Sequence, residues 1–304
     1  MAEIMNLFYS PKPSVELQVT LKNANERIYV TKDKNEIVKF PLYYHDECLS
    51  GSLNVKVNGK TQFEHCGLTL HFIGHMNVRN DRSGSSEFLH SILTLDTSGN
   101  VIKNERMFSF EFPNIEKQYE TYHGKYFDVR YILRVNLSRG KYLSAIISEQ
   151  EIYIQHLKSP SLSLLDHMRM EVGIQDCLHL EFTSNQSTYH LTDVIIGKIL
   201  FVLIRISIKS MELTLLRRES VGHGSHRHIE SEIMTKYEIL DGAPKKGDSI
   251  PVRLYLAPYN LTPTYRHIEL QCSVRYYLNL VLVDIEDRRY FKQQELVLWR
   301  QSVE

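Results

Sequence analysis

Apolar residues recur at every second position along most of this chain, and no long stretch carries them at the 3.6-residue period of a helix. Val15, Leu17 and Val19 alternate with Glu16 and Gln18, and the same rhythm runs through Leu53–Val57, Leu68–Phe72, Phe108–Phe112, Tyr131–Val135, Leu178–Phe182 and Met211–Leu215. Successive strand side chains point to opposite faces, so each such run is one half-buried strand. Clusters such as Asn58-Gly59 and Asp81 to Ser86 punctuate them with turn chemistry. Short strands at regular spacing predict an all-β chain built of β-sandwiches. One helical turn or two is expected over Ser161–Arg169. The most apolar run, Val194–Ile208, is broken by Lys198 and Arg205. It is shorter than the roughly 20 residues of a spanning helix and rich in Ile and Val, so it reads as a buried strand.

The chain then repeats itself. Val129-Arg130-Tyr131-Ile132-Leu133 returns as Val274-Arg275-Tyr276-Tyr277-Leu278, 145 positions later. Leu68-Thr69-Leu70 returns as Leu213-Thr214-Leu215 at the same offset, and Gly51-Ser52-Leu53 resembles Gly197-Lys198-Ile199 at 146. Each match is short, but three in one order at nearly one offset describe a duplicated domain. The reading is two sandwiches in tandem, residues 1–158 and 159–304, joined near Lys158-Ser159-Pro160.

Lys plus Arg equals Asp plus Glu, 36 each, so the chain has no global electrostatic footprint for nucleic acid or an anionic membrane. Cys48, Cys66, Cys177 and Cys272 are far apart with no C-x-x-C pair. That spacing argues for reduced thiols in a cytoplasmic protein and against a disulfide framework or zinc site. The first residues carry no apolar core of a signal peptide.

A search for catalysis returns little. There is no G-x-S-x-G, P-loop, H-E-x-x-H or dinucleotide fingerprint. His223, His226 and His228 form a tract that metals can favour, but its Gly and Ser neighbours read as a solvated loop, and no second cluster supplies ligands. Cys177 beside His179 has the composition of a nucleophile and base, without a third orienting group in the segment. Asp284, Glu286 and Asp287 are followed at once by Arg288 and Arg289, as at a charged hairpin end. The expectation is a non-enzymatic binding scaffold without metal or cofactor.

One loop stands out. Ile239 and Leu240 are adjacent apolar residues at the end of a strand, just before the turn Asp241-Gly242-Ala243-Pro244. Only one of two neighbours on a regular strand can face the core. The other either packs under the turn or waits for a partner.

Tyr237 to Pro244, Met170 to Ile174, Asp176 to His179 and the long segment Val274 to Arg300 resemble the arrestin-like subunit of retromer, the vacuolar protein sorting-associated protein 26 family. The likeness is most specific from Met170 to Arg300, continuous from Gly51 to Leu157, and loosest over the first fifty residues. It implies two tandem arrestin-like β-sandwiches and a non-catalytic adaptor on endosomes. The implied partners are retromer's α-solenoid subunit (vacuolar protein sorting-associated protein 35), sorting nexins and cytosolic tails of transmembrane cargo. It implies peripheral, indirect membrane association. The resemblance places Ile239, Leu240, Asp241, Gly242 and Pro244 against the solenoid, and Val172 and Phe291 at a pocket for an apolar residue of the cargo motif. His45-Asp46-Glu47 does not align cleanly with the acidic pattern that some relatives use toward a PDZ-type sorting nexin. A related arrestin-like trafficking adaptor, such as the retriever subunit, is the alternative reading.

Overall fold

The computed structural model describes residues 14–31, 39–58, 62–79, 85–113, 115–140, 142–157, 167–222, 227–241, 243–268 and 272–300. Apart from one 3-10 turn at Ala24–Glu26, the regular structure of these residues is strand, so the all-β expectation holds. Two compact units divide the chain. The first comprises Met1–Asn77, Ser85–His123 and Asp128–His156, and the second Val78–Gly84, Gly124–Phe127 and Leu157–Glu304.

The first unit has a three-stranded sheet of β1 (Ser14–Leu21), β4 (Leu49–Asn58) and β9 (Glu105–Phe112), in the order β1-β4-β9. Its larger sheet runs β2 (Tyr29–Thr31), β3 (Lys39–Tyr44), β12 (Ile146–Gln155), β11 (Phe127–Leu137), β6 (Leu68–Val78) and β7 (Ser85–Asp96), with β10 (Tyr122–His123) beside β11. β5 (Phe63–Glu64) and β8 (Val101–Ile102) form a small pair.

The second unit has a four-stranded sheet of β13 (Met168–Ile174), β14 (Leu178–Ser184), β16 (Val194–Ile204) and β19 (Ser249–Tyr255), in that order. Its larger sheet runs β15 (Thr188–His190), β22 (Arg289–Trp299), β21 (Cys272–Asp284), β17 (Ile208–Val221) and β18 (His228–Asp241), with β20 (Tyr265–Ile268) beside β21.

The two orders superimpose. β4 answers to β16, β6 to β17 and β11 to β21, the three pairs that carry the sequence repeat. In both larger sheets a short strand joins in parallel, β3 along β12 and β15 along β22, while the next pairings inward, β12 with β11 and β22 with β21, are antiparallel. β13 has no counterpart among the described strands of the first unit.

The repeated residues explain why. Tyr131 and Tyr276 are fully buried, and each phenol ties a preceding loop to the core. The Tyr131 hydroxyl donates to the Tyr119 carbonyl at 2.8 Å. The Tyr276 hydroxyl oxygen accepts from the Thr262 amide at 2.9 Å. Burial raises both phenol pKa values. Replacing Tyr276 by Phe strands that amide, and we expect a loss of about 1–3 kcal/mol in urea unfolding, the cost of an unsatisfied buried donor.

Gly51 and Gly197 sit where the backbone and an aromatic ring come close. A Cβ on Gly197 would lie 2.7 Å from the Thr183 carbonyl oxygen and 2.9 Å from the Phe182 ring. One on Gly51 would collide with the Thr20 carbonyl and come within 3.0 Å of the Phe110 ring.

The run expected as a buried strand is mostly β16, but only one face of it is covered: Ile195, Ile199 and Phe201 are fully buried, whereas Ile196 and Val202 are exposed. The helical expectation over Ser161–Arg169 fails where it can be followed. Met168 and Arg169 are strand, because Met168, Met170 and Val172 alternate into the core with Arg169 and Glu171 outward. Residues 161–166 lie outside the described residues.

Candidate interaction site

β17 and β18 pair along their length with two register shifts. At the one nearer the end of β18, Met211 opposes Leu240 while Glu212 opposes Glu238, which leaves Ile239 as the extra residue of a β-bulge. A bulge re-aims one side chain and ends regular pairing, and such features cluster at functional edges. The adjacent apolar pair thus has a geometric solution. Leu240 stands opposite the fully buried Met211, while Ile239 is released from the alternation, and both are half-buried.

The bulge opposes Glu212 and Glu238, and like charges directly opposite are unfavourable. Lys236 lies between them in sequence and pairs with Glu212 at 2.6 Å. Asp241 is the last residue of β18, in register with Ser210. Gly242 lies outside the described residues, and Pro244 is half-buried.

The chain then crosses to the other sheet of the sandwich. Lys245 N–H donates to the Asp248 carboxylate at 2.7 Å, and Gly247 has φ +89°. Gly247 N–H donates to the Phe201 carbonyl at 2.7 Å, and Phe201 N–H to the Asp248 carbonyl at 3.0 Å. These bonds hold the far side of the loop, Lys245–Asp248, on β16 and brace the turn from that side.

Val172 and Phe291 occupy different settings. Val172 opposes Leu180 and is 6% exposed, facing the core. Phe291 opposes Val281 and is 66% exposed. β13 is the edge of its sheet and runs beside β22. β22 is paired by β15 only over Val297–Trp299. The two strands are brought together, while the two side chains face different ways.

The other sequence candidates resolve differently. Residues 223–226 lie outside the described residues, and His228 opens β18. Cys177 lies in the turn before β14, off the strand that carries His179. His179 does have an orienting group, Glu181, at 3.3 Å, which also pairs with Arg169 at 2.9 Å. Glu47 pairs with Arg27 at 2.7 Å. The main-chain carbonyls of His45 and Glu47 accept from the buried Lys117 ammonium at 3.1 and 2.6 Å. Among the described residues, no group of three or more His, Cys, Asp or Glu is arranged to hold a metal.

Asp284 organises the β21–β22 turn. Its carboxylate accepts from the Glu286 and Arg288 amides at 2.9 Å, the Arg288 guanidinium at 2.7 Å and the Tyr290 hydroxyl at 3.0 Å. Burial pushes its pKa up, but the Arg288 and Tyr290 bonds outweigh it and bring it from 3.8 to about 2. A depressed folded pKa stabilises above the unfolded value and is lost as pH falls through the folded one. The urea midpoint of wild type should therefore exceed that of Asp284→Asn at neutral pH. The gap should shrink between pH 3.8 and about 2, and a gap independent of acid would contradict this assignment.

The sequence profile of the vacuolar protein sorting-associated protein 26 family matches residues 11–287. The chain belongs to this family. It is 45% identical over 300 residues to vacuolar protein sorting-associated protein 26B of Homo sapiens, covering 97% of this chain and 88% of that protein. The vacuolar protein sorting-associated protein 26 of Dictyostelium discoideum is 43% identical over 303 residues, covering 98% and 86%. The 26B protein of Arabidopsis thaliana is 42% identical over 291 residues, covering 95% of each. Vacuolar protein sorting-associated 26 membership agrees with the paired all-β architecture and with the resemblance read from Met170–Arg300. Among the described residues, no helix is long and apolar enough to cross a membrane.

Proposed function

We propose that this chain is a non-catalytic adaptor subunit of retromer in endosomal protein sorting, working from the cytoplasm and peripherally on the endosome membrane. It joins the N-terminal end of the α-solenoid subunit through Ile239 and Leu240, with Asp241, Gly242 and Pro244 shaping the loop. The observation that carries this reading is the bulge at Ile239. It frees an apolar side chain beside a braced turn, and a few buried apolar anchors supply most of an interface's energy.

With sorting nexins, the chain receives cytosolic tails of transmembrane cargo at the seam of β13 and β22. A tail that adds along the β13 edge uses backbone pairing for affinity and an apolar pocket for specificity. Phe291 is already exposed for that role, whereas Val172 is covered, so opening the pocket requires β13 to shift. The neutral balance of charge fits membrane attachment through partners.

The deciding experiment is a calorimetric titration of the folded chain against the purified N-terminal part of the solenoid subunit from the same organism. Saturable 1:1 binding is expected. Absence of binding by a normally melting protein would sink the retromer reading and bring the retriever-type alternative forward.

A further inference from the structure

The outer face of the first unit carries a chain of polar side chains that the adaptor role does not use. It begins with a second bulge. Gly74 opposes Leu89 and His75 opposes Glu87, so Phe88 is the extra residue of β7. Its ring fills the space that a Cβ on Gly74 would need, at 2.6–2.9 Å. It packs edge-on against Tyr119 and Tyr131, with centroids 5.0 and 5.6 Å away. On a regular strand residues i and i+3 face opposite sides. Here the bulge brings Glu87 and His90 to the same side, with His90 Nδ1 2.7 Å from the Glu87 carboxylate.

The line continues across the hairpin. His90 Nε2 lies 2.9 Å from His71 Nδ1. His71 Nε2 lies 2.9 Å from the Thr69 hydroxyl, which is itself 3.5 Å from the Asn136 carbonyl oxygen. A carboxylate only accepts, so His90 carries its proton on Nδ1 and turns the Nε2 lone pair toward His71. When Thr69 donates to Asn136, it accepts from His71 Nε2–H, and the His71 Nδ1 lone pair turns toward His90. Two imidazole lone pairs then face each other, and only a proton or a cation can occupy the space between them.

We propose that His71 Nδ1 and His90 Nε2 form a binding site for a divalent transition metal that favours imidazole, zinc or copper(II), with water completing the coordination. Burial first, then the neighbouring His90 and Arg134, lower the pKa of His71. The charge of Arg134 is taken up by Glu149 at 2.6 Å. Zinc–nitrogen bonds of about 2.0–2.1 Å at a tetrahedral angle place the two nitrogens roughly 3.4 Å apart, so the partly exposed rings separate by about half an ångström. Glu87 supplies the carboxylate that orients and enriches a metal-bound histidine. With two protein ligands the site is a weak, exchangeable one.

The alternative is a plain relay in which Thr69 donates to His71 and His71 donates to His90. Histidine nitrogen NMR separates the two. Zinc chloride is titrated into the tag-free, full-length chain labelled with 15N-histidine. The expected result is a selective shift of His71 Nδ1 and His90 Nε2 with 1:1 saturation. That saturation is lost in His71→Ala and in His90→Gln, two outward-facing changes each checked by thermal melt. Glu87→Gln should weaken it roughly 10–100-fold. Inner nitrogens that stay fixed while zinc is taken up at His223–His228 would overturn the proposal. Undiminished binding by a folded His71→Ala or His90→Gln would do the same.

Discussion

Ile239→Glu is expected to weaken binding to the solenoid subunit while leaving the melt of the free chain unchanged. The reason is the register. Ile239 is the bulged residue and has no partner position on β17, whereas Leu240 stands opposite the buried Met211. Withdrawing one anchor from an apolar interface forfeits about 1.5–3 kcal/mol, roughly a 10- to 150-fold rise in Kd. Adding Leu240→Glu should bring the loss to about 3–6 kcal/mol, which abolishes measurable binding. The double change also places a carboxylate beside the core, so part of its effect will appear as a lower melting temperature. The single change is therefore the sharper test. Wild-type affinity for Ile239→Glu would remove the anchor role from the bulge. A fall in stability equal to the fall in binding would show that Ile239 serves its own sandwich.

The second large effect lies in the repeated glycines. Gly197→Val should destabilise by about 1–3 kcal/mol or more, the cost of forcing atoms into a packed site. Its Cβ meets the Thr183 carbonyl and the Phe182 ring, one a backbone atom in the sheet and the other a fully buried side chain. Neither is the free end of a flexible chain, so relief requires β14 and β16 to separate. Gly51→Val meets the same pair of obstacles, a carbonyl at Thr20 and the Phe110 ring. We expect both variants to melt lower than wild type by differential scanning calorimetry. A Gly197→Val protein as stable as wild type would mean that the sheet yields there at little cost.

Much of the architecture is legible in the sequence because a strand writes its burial at a period of two. Val274, Tyr276, Leu278, Leu280 and Leu282 alternate, and all five are fully buried in β21. The repeat at an offset of 145 maps strand for strand. Bulges are not written this way, since one extra residue shifts register without changing composition. Ile239 was noticeable only because Leu240 follows it. Phe88, followed by Leu89, carries the same mark, but nothing local says that its bulge aligns Glu87 with His90. His71 and His90 lie 19 residues apart and meet only because β6 and β7 form a hairpin, so no local motif announces them. The depth of Val172 was hidden for a related reason. Apolar residues on a sheet edge read alike whether they face the core or a ligand, and only packing distinguishes Val172 from the exposed Phe291.

The two parallel pairings have a consequence for biosynthesis. β15 cannot be secured until β22 exists, because Thr188, Tyr189 and His190 pair with Val297, Leu298 and Trp299. β21 likewise waits for β22 along its length. A chain emerging from the ribosome therefore holds most of the second unit without its closing strand until β22 has been made. The first unit closes as soon as β12 appears to join β3 and β11. Non-local closure is slow and leaves strand edges open to other chains. Nascent second units are thus the stage at which strand edges stand open, and a stop codon ahead of Arg289 should yield aggregate rather than a trimmed, folded protein.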